Sequence, residues 1–235
     1  MTRGWWRTGP VVLGLAVSLW TAGCTSTVDG TAVRADSAVR QSDSLLTEQD
    51  LDEILLDTGE LGDLLSSPSI EVTDEIDEMT DSSADVTAPE CVGALYSAEE
   101  PAYAGTGYTA VLTRLASEAG DDYQHWVEES AVIVPTAQDA EMFVERSARE
   151  WDRCAGTPVS ISDGEDWFDW ELSGVVRDGG IVSQVSTAMD SVEWQCEHTV
   201  AAVANVIVEA SVCAERVRDE ATTVINAMIA KAAER

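Results

Sequence analysis

The chain is 235 residues long and 45% hydrophobic, enough to fill one well-packed domain or two small ones. Its 44 acidic residues against 13 basic ones give a formal charge of −31. That balance excludes nucleic acid as a partner and disfavours docking on anionic lipid headgroups, since both need clustered Lys and Arg; it fits a solvated, self-repelling surface.

Residues 1–23 read as an export signal. Arg3 and Arg7 supply a positive start, and Val11 to Trp20 is an uncharged, mostly apolar run too short to span a bilayer as a helix. Thr21-Ala22-Gly23 then places small residues before Cys24, a pattern that resembles a bacterial lipobox with Thr21 at the usual leucine position. On this reading Cys24 is lipidated, and the exported protein is held on the outer face of the cytoplasmic membrane by that lipid alone. Five cysteines leave one odd thiol in an oxidising compartment, and lipidating Cys24 leaves an even four. Residues 24–44 are rich in Ser, Thr, Asp, Ala and Gly without apolar periodicity, which predicts a flexible tether. The domain proper is expected over 45–235.

Thr47 is placed to cap a short helix, with Asp50 three residues on and Leu51, Ile54 and Leu55 along one face. Gly59 and Gly62 are expected to end it. No Lys or Arg occurs between residues 41 and 113, and Glu71 to Asp81 is a dense acidic patch that reads as a solvated loop. Asp74, Asp77 and Asp81 lack the alternating spacing and central glycine of a calcium loop. Pro89 to Tyr96 reads as a helical turn opened by proline, with Cys91 inside it. After the bend at Ala104-Gly105-Thr106-Gly107, the alternating runs Tyr108 to Leu115 and Trp126 to Val134 predict an antiparallel pair turning at Asp121-Asp122.

From Thr136 to Cys154 the periodicity predicts a helix capped by Thr136. Ala140, Phe143, Val144, Ser147, Ala148 and Trp151 form its buried stripe. Cys154 continues that stripe, so it points inward, where Cys91 could meet it. Val159 to Ser162, Trp167 to Val176 and Ile181 to Ala188 read as strands, the last two joined by the hairpin signal Arg177-Asp178-Gly179-Gly180. Trp194 to Cys213 is rich in Val, Ile and Ala, and Ala204-Asn205 reads as a turn because Asn tolerates positive φ. A hairpin turning there sets Cys196 opposite Cys213, within disulfide reach. A last helix from about Glu215 carries Val217, Ala221, Val224, Ile225, Met228, Ile229 and Ala232 on one face. The sum is an α+β fold: a twisted antiparallel sheet of about seven strands with two main α-helices packed on it.

Three stretches carry a family likeness: Pro89 to Tyr96 with Cys91 inside it, the helix ending Trp151 to Cys154, and Trp194-Gln195-Cys196 with Asn205-Val206 and Val212-Cys213. Over about residues 45–235 the chain resembles the PknH-like extracellular sensor domain family. That domain occurs on an actinobacterial Ser/Thr kinase and in lipoproteins that carry it without a kinase, and this chain is expected to be one of the latter. The resemblance implies the pairs Cys91–Cys154 and Cys196–Cys213, a central antiparallel sheet with two helices, and a cleft proposed to bind a ligand.

Catalytic signals are weak. His125 and His198 are the only histidines, no Gly-x-Ser-x-Gly elbow accompanies them, and they supply too few ligands for zinc. A glycosidase-type carboxylate pair has no distinguishing spacing among so many acids. In Trp167-Phe168-Asp169-Trp170, alternation sends one aromatic face into the core and frees the other for stacking on sugar or lipid. Tyr96, Tyr103 and Tyr108 flank the glycine-rich bend and are placed to line a cleft entrance. The candidate ligand cleft is Tyr96, Tyr108, Trp170, Gln184 and Asn205. The expected function is a non-catalytic, monomeric sensor-type module for a small molecule, glycan or lipid of the cell envelope, with no cofactor and no metal. Two other readings stand beside it: an accessory protein engaging an envelope partner through the acidic face at 71–81, and a hydrolase.

Overall fold

The computed structural model describes residues 45–120, 123–191 and 193–235. The expected signal, Cys24, the tether and the Asp121-Asp122 turn lie outside them. Thr47 opens a 3-10 turn, its backbone N–H donating to Asp50 Oδ2 at 2.8 Å, and α1 (Leu51–Ile54) follows. The helix stops at Leu55 without help from glycine. Gly59 and Gly62 instead lie inside a second helix, α2 (Thr58–Leu65), which Asp57 and Glu60 open as a reciprocal capping box. Gly62 serves close packing: a Cβ there would come within 3.0 Å of the Ser67 carbonyl oxygen.

The acidic stretch is not simply a loop. Its first part is strand β1 (Ile70–Ile76), paired with β2 (Ala110–Glu118) and bulged between Val72 and Asp74. Beyond its first residue the strand's side chains lie at the surface, where Glu75 pairs with Arg114 across the β1–β2 register and the other carboxylates guard an edge. Dense charge hid a strand that needs just one buried anchor, Ile70. Two short helices, α3 (Val92–Leu95) and α4 (Glu100–Tyr103), precede β2, and β3 (His125–Ile133) returns along it. Thr136 then caps α5 (Ala137–Cys154), accepting from the Asp139 N–H, and the predicted stripe is buried throughout.

Strands β4 (Pro158–Ser162), β5 (Trp167–Leu172), β6 (Val176–Asp178) and β7 (Ile181–Ala188) follow. The expected single strand 167–176 is thus broken in two. Both pieces pair with β7, and Ser173 fills the break, its hydroxyl accepting the Val185 N–H at 3.0 Å. The long hairpin β8 (Trp194–Val203) and β9 (Val206–Glu215) sits centrally, and Cys196 lies directly opposite Cys213. At its two-residue turn the positive φ falls on Ala204 (50°) rather than Asn205. The final helix, α6 (Glu220–Ala233), starts five residues later than its apolar pattern suggests, because Val217 is still in the connection. Its start is set by a distant carboxylate: Glu197 of β8 accepts the N–H groups of Ala221 and Thr222.

Among the described residues nine strands form one antiparallel sheet in the order β1-β2-β3-β9-β8-β7-β5-β4, with β6 beside β7. The two strands beyond the expected seven are β1 and β6. Helices cover both faces. On one, Ile54, Leu61, Val224, Ile225 and Met228 from α1, α2 and α6 pack on Val127, Val208, Ala210 and Val212. On the other, Phe143, Val144 and Trp151 of α5 and Val92 and Leu95 of α3 pack on Val132, Val200 and Ile207. Strand alternation divides the two cores.

Candidate functional site

The second face holds the site, and the strand register builds it. Residues directly opposed across β3, β9, β8 and β7 form rows. Trp126, Cys213, Cys196 and Ser186 make one; Glu128, Ser211, His198 and Gln184 make the next; Ser130 and Glu209 begin a third. At the first row the sheet outruns α5 and leaves a cavity of about 180 Å³. Its floor is the Cys196–Cys213 disulfide with Ser186 and Ser211. Its walls are aromatic: Tyr96 from the end of α3, Tyr123 and Trp126 at the start of β3, Trp170 on β5 and Trp194 on β8, closed by Leu95 and Ile161. Tyr123 meets Trp194 edge-on, with ring centroids 5.8 Å apart.

Behind the cavity lies a buried polar cluster that fixes one of its walls. Glu128 Oε2 accepts the Ser97 N–H at 3.1 Å. Glu209 Oε1 accepts the Ala98 N–H at 3.0 Å and the Tyr103 hydroxyl at 2.6 Å, while its Oε2 lies 3.2 Å from His198 Nε2. Glu99, the next residue in the same segment, accepts the backbone and hydroxyl of Ser82. Residues 97 and 98 are therefore pinned to the sheet through carboxylates and residue 99 to the Thr80–Ser82 segment, with Ala98 held at a φ of 51°. Leu95 and Tyr96, just upstream, are positioned by that pinning. The Cys91–Cys154 disulfide ties the same segment to the end of α5 from the other side. Burial raises Glu128 to about 7, with nearby Glu209 adding to it against the Ser97 N–H and His198. Burial also pushes the Tyr96 phenol up to about 12, helped by Glu128, Glu99 and Asp85.

The cluster is not arranged as a hydrolase relay. Ser97 Oγ and Glu209 both approach the same imidazole nitrogen, Nε2, at 3.4 and 3.2 Å, and Nδ1 has no partner among the described residues. A triad needs nucleophile and carboxylate on opposite ring nitrogens. His125 sits elsewhere: its Nδ1 lies 2.8 Å from Glu118, whose carboxylate also accepts the Ser67 hydroxyl. Burial alone would raise Glu118, but hydrogen bonds from His125 and Ser67 bring it down to about 2. Among the described residues, no group of three or more His, Cys, Asp or Glu is placed to hold a metal ion.

A family model described as PknH-like extracellular domain matches residues 46–231. The chain belongs to that family. Among curated relatives, it is 34% identical over 176 residues to serine/threonine-protein kinase PknH of Mycobacterium tuberculosis (strain ATCC 25618 / H37Rv), covering 75% of this chain and 28% of the kinase. The kinase PknH of Mycobacterium bovis is 33% identical, covering 75% and 30%. The chain thus spans 28% to 30% of the length of these relatives. The crystal structure of the extracellular domain of PknH from Mycobacterium tuberculosis superposes with a TM-score of 0.77 at 31% identity, covering 82% of this chain and 99% of that one. Membership fits an exported protein, and no described helix is long and apolar enough to cross a membrane.

Of the five residues proposed from sequence for a PknH-like cleft, Tyr96 and Trp170 line the cavity. Gln184 and Asn205 do not. The Gln184 amide donates to the carbonyls of Trp151 and Ser173, linking α5 to the β5–β6 break. Asn205 accepts the Leu46 N–H at 2.8 Å and donates to the carbonyls of Leu46 and Val134, so it is a clamp at the hairpin tip. Tyr108 lies edge-on to Tyr103, away from the cavity. Tyr103 is itself fully buried, stacked on Phe143, and lines no entrance. Sequence reading missed Trp126, Trp194 and Tyr123. A signal for Trp126 existed: continuing the Cys196–Cys213 row onto β3 reaches it, once β3 is known to pair with β9.

Proposed function

We propose that this PknH-like extracellular domain is a non-catalytic, sensor-type module whose ligand occupies the aromatic cavity at the Cys196–Cys213 end of the sheet. The observation that carries the reading is the convergence of five aromatic rings from four separate parts of the chain over a disulfide floor. Aromatic walls with few polar groups are the ordinary make-up of a small-molecule site. The rigidity of those walls supports it too: the disulfides and the Glu128 and Glu209 contacts hold the site preformed, which lowers the ordering cost of binding. Two other clefts fit less well. In the one around Arg114 and Lys231 both cations are already paired, with Asp52, Glu75 and Glu60, and in the one along α5 half of the lining residues are charged.

In this proposal Cys24 is lipidated and the domain stands on the outer face of the cytoplasmic membrane. The test is binding. Envelope glycans, lipids and small metabolites are screened against the purified full chain by tryptophan fluorescence and melting temperature. A ligand should shift both, and Trp126→Ala with Trp170→Ala should remove the shift. A ligand that still binds the double variant equally well would place the site elsewhere.

A further inference from the structure

Resting on that reading, we propose that the cavity selects a methylated ammonium cation bearing a nearby oxygen, a choline-like group. Three features of the cavity favour this chemistry. The first is the lining. Aromatic faces carry negative quadrupole potential, and a box of Trp and Tyr is the arrangement that receives an alkylated ammonium ion, which needs no hydrogen-bond acceptor. Sugars need many polar partners and carboxylate acceptors above all, whereas the lining holds no Asp, Glu, Asn or Gln, only two serines and the polar tips of the aromatic rings.

The second feature is the field. No Lys or Arg lines the cavity, and Arg216, next to the end of β9, is paired with Glu193. Glu209 lies two rows behind the disulfide in a chain of formal charge −31. Cations are drawn to such a site and anions repelled. The third feature is Ser211. It is 1% exposed, it lines the cavity, and its hydroxyl has no partner among the described residues. A buried hydroxyl normally has one, and an oxygen close to the ammonium would supply it. Size agrees: about 180 Å³ is near the cavity of roughly 150 Å³ that holds benzene.

The test titrates the full chain, by calorimetry and tryptophan fluorescence, with choline, tetramethylammonium, uncharged 3,3-dimethyl-1-butanol of choline's shape, and methyl glucoside. Choline should bind about tenfold or more tightly than the uncharged isostere. Trp170→Leu should abolish this preference. Ser211→Ala should lower affinity for choline and leave tetramethylammonium unchanged. Competition by phosphatidylcholine vesicles would assign the group to a lipid headgroup, and its lack would assign it to a free cation; either outcome supports the class. Equal or tighter binding of the isostere or the glucoside overturns the choline-like class while leaving the cavity a ligand site. Binding by none of the four overturns the choline-like class as well, and the wider ligand screen then decides whether the cavity is a site. Because the isostere comparison is made on the unaltered protein, it decides even where a variant fails to fold.

Discussion

The two faces of the sheet are built from the same strands and are chemically unlike. Along β9, Val206, Val208, Ala210 and Val212 face one way and enter a dry core under α6. Ile207, Glu209, Ser211 and Cys213 face the other and meet carboxylates, a histidine and aromatic rings. The first is largely apolar, its buried carboxylates Glu129 and Glu197 accepting backbone N–H groups at Leu56 and at the start of α6. The second keeps polar groups in the interior, where each must be matched to a partner, and there the chain forms a cavity instead of filling it. The period-two alternation of a few strands thus gives one sheet two unlike cores.

Breaking each face in turn tests that separation. The largest effect is expected from Glu209→Ala, which leaves the Ala98 N–H, the Tyr103 hydroxyl and His198 without their shared acceptor. Denaturant unfolding should show a loss of about 3–5 kcal/mol. Hydrogen exchange should rise across residues 95–99 before the sheet opens. Ile225→Ala, fully buried under the opposite face, should cost about 2–4 kcal/mol and leave exchange at 95–99 unchanged. Equal disturbance of the segment by both variants would contradict the division.

The disulfides should rank by the loops they close. Replacing Cys91 and Cys154 with serine opens a loop of sequence separation 63 and should cost about 4 kcal/mol; opening the 17-residue separation between Cys196 and Cys213 should cost about 3. Urea unfolding measures both, and the reverse order would show that the hairpin staple resists more than chain entropy.

Acidity offers a milder probe of both faces at once. Burial raises Glu128 to about 7 and, on the first face, Glu129 to about 8. A carboxyl with a raised folded value binds protons more tightly folded than unfolded. The stability it contributes is complete below its unfolded value near 4.5 and is lost as pH climbs through 7 and 8. Glu118, lowered to about 2, acts oppositely, with stability lost as pH falls from 4.5 toward 2. Melting temperature should therefore peak near pH 5, and Glu128→Gln should flatten the decline above it. A plateau from pH 5 to 8 would show that these carboxyls are not protonated in the fold. The smallest effect is expected at the hairpin turn. Ala204→Gly relieves a φ of 50° and should stabilise by about 0.5–1 kcal/mol in the same denaturant assay.

Much of this architecture was legible in the chain because it rests on local periodicity. The stripe of α5 and the Cys196–Cys213 register both follow from spacing alone. What escaped was non-local. β1 was hidden because an edge strand needs only backbone pairing, and its acidic side chains imitate a loop. Glu128 and Glu129 stand between Trp126-Val127 and Ala131-Val132-Ile133, a sign of internal partners, yet nothing in the sequence says that those partners are backbone groups of residues 97 and 56. The cavity was half found for the same reason. Tyr96 and Trp170 drew attention by their local setting, whereas Trp126 and Trp194 become neighbours only when β3, β9 and β8 are laid side by side.

The Asn205 amide gives the molecule two poles. Its three hydrogen bonds fasten Leu46, where the chain joins the fold, and Val134 to the tip of the central hairpin. Eight residues of strand separate Ala204 from Cys196, about 26 Å at the usual rise. A pull arriving through the residues before Leu46 is taken up at one end of the sheet, while the aromatic cavity opens at the other.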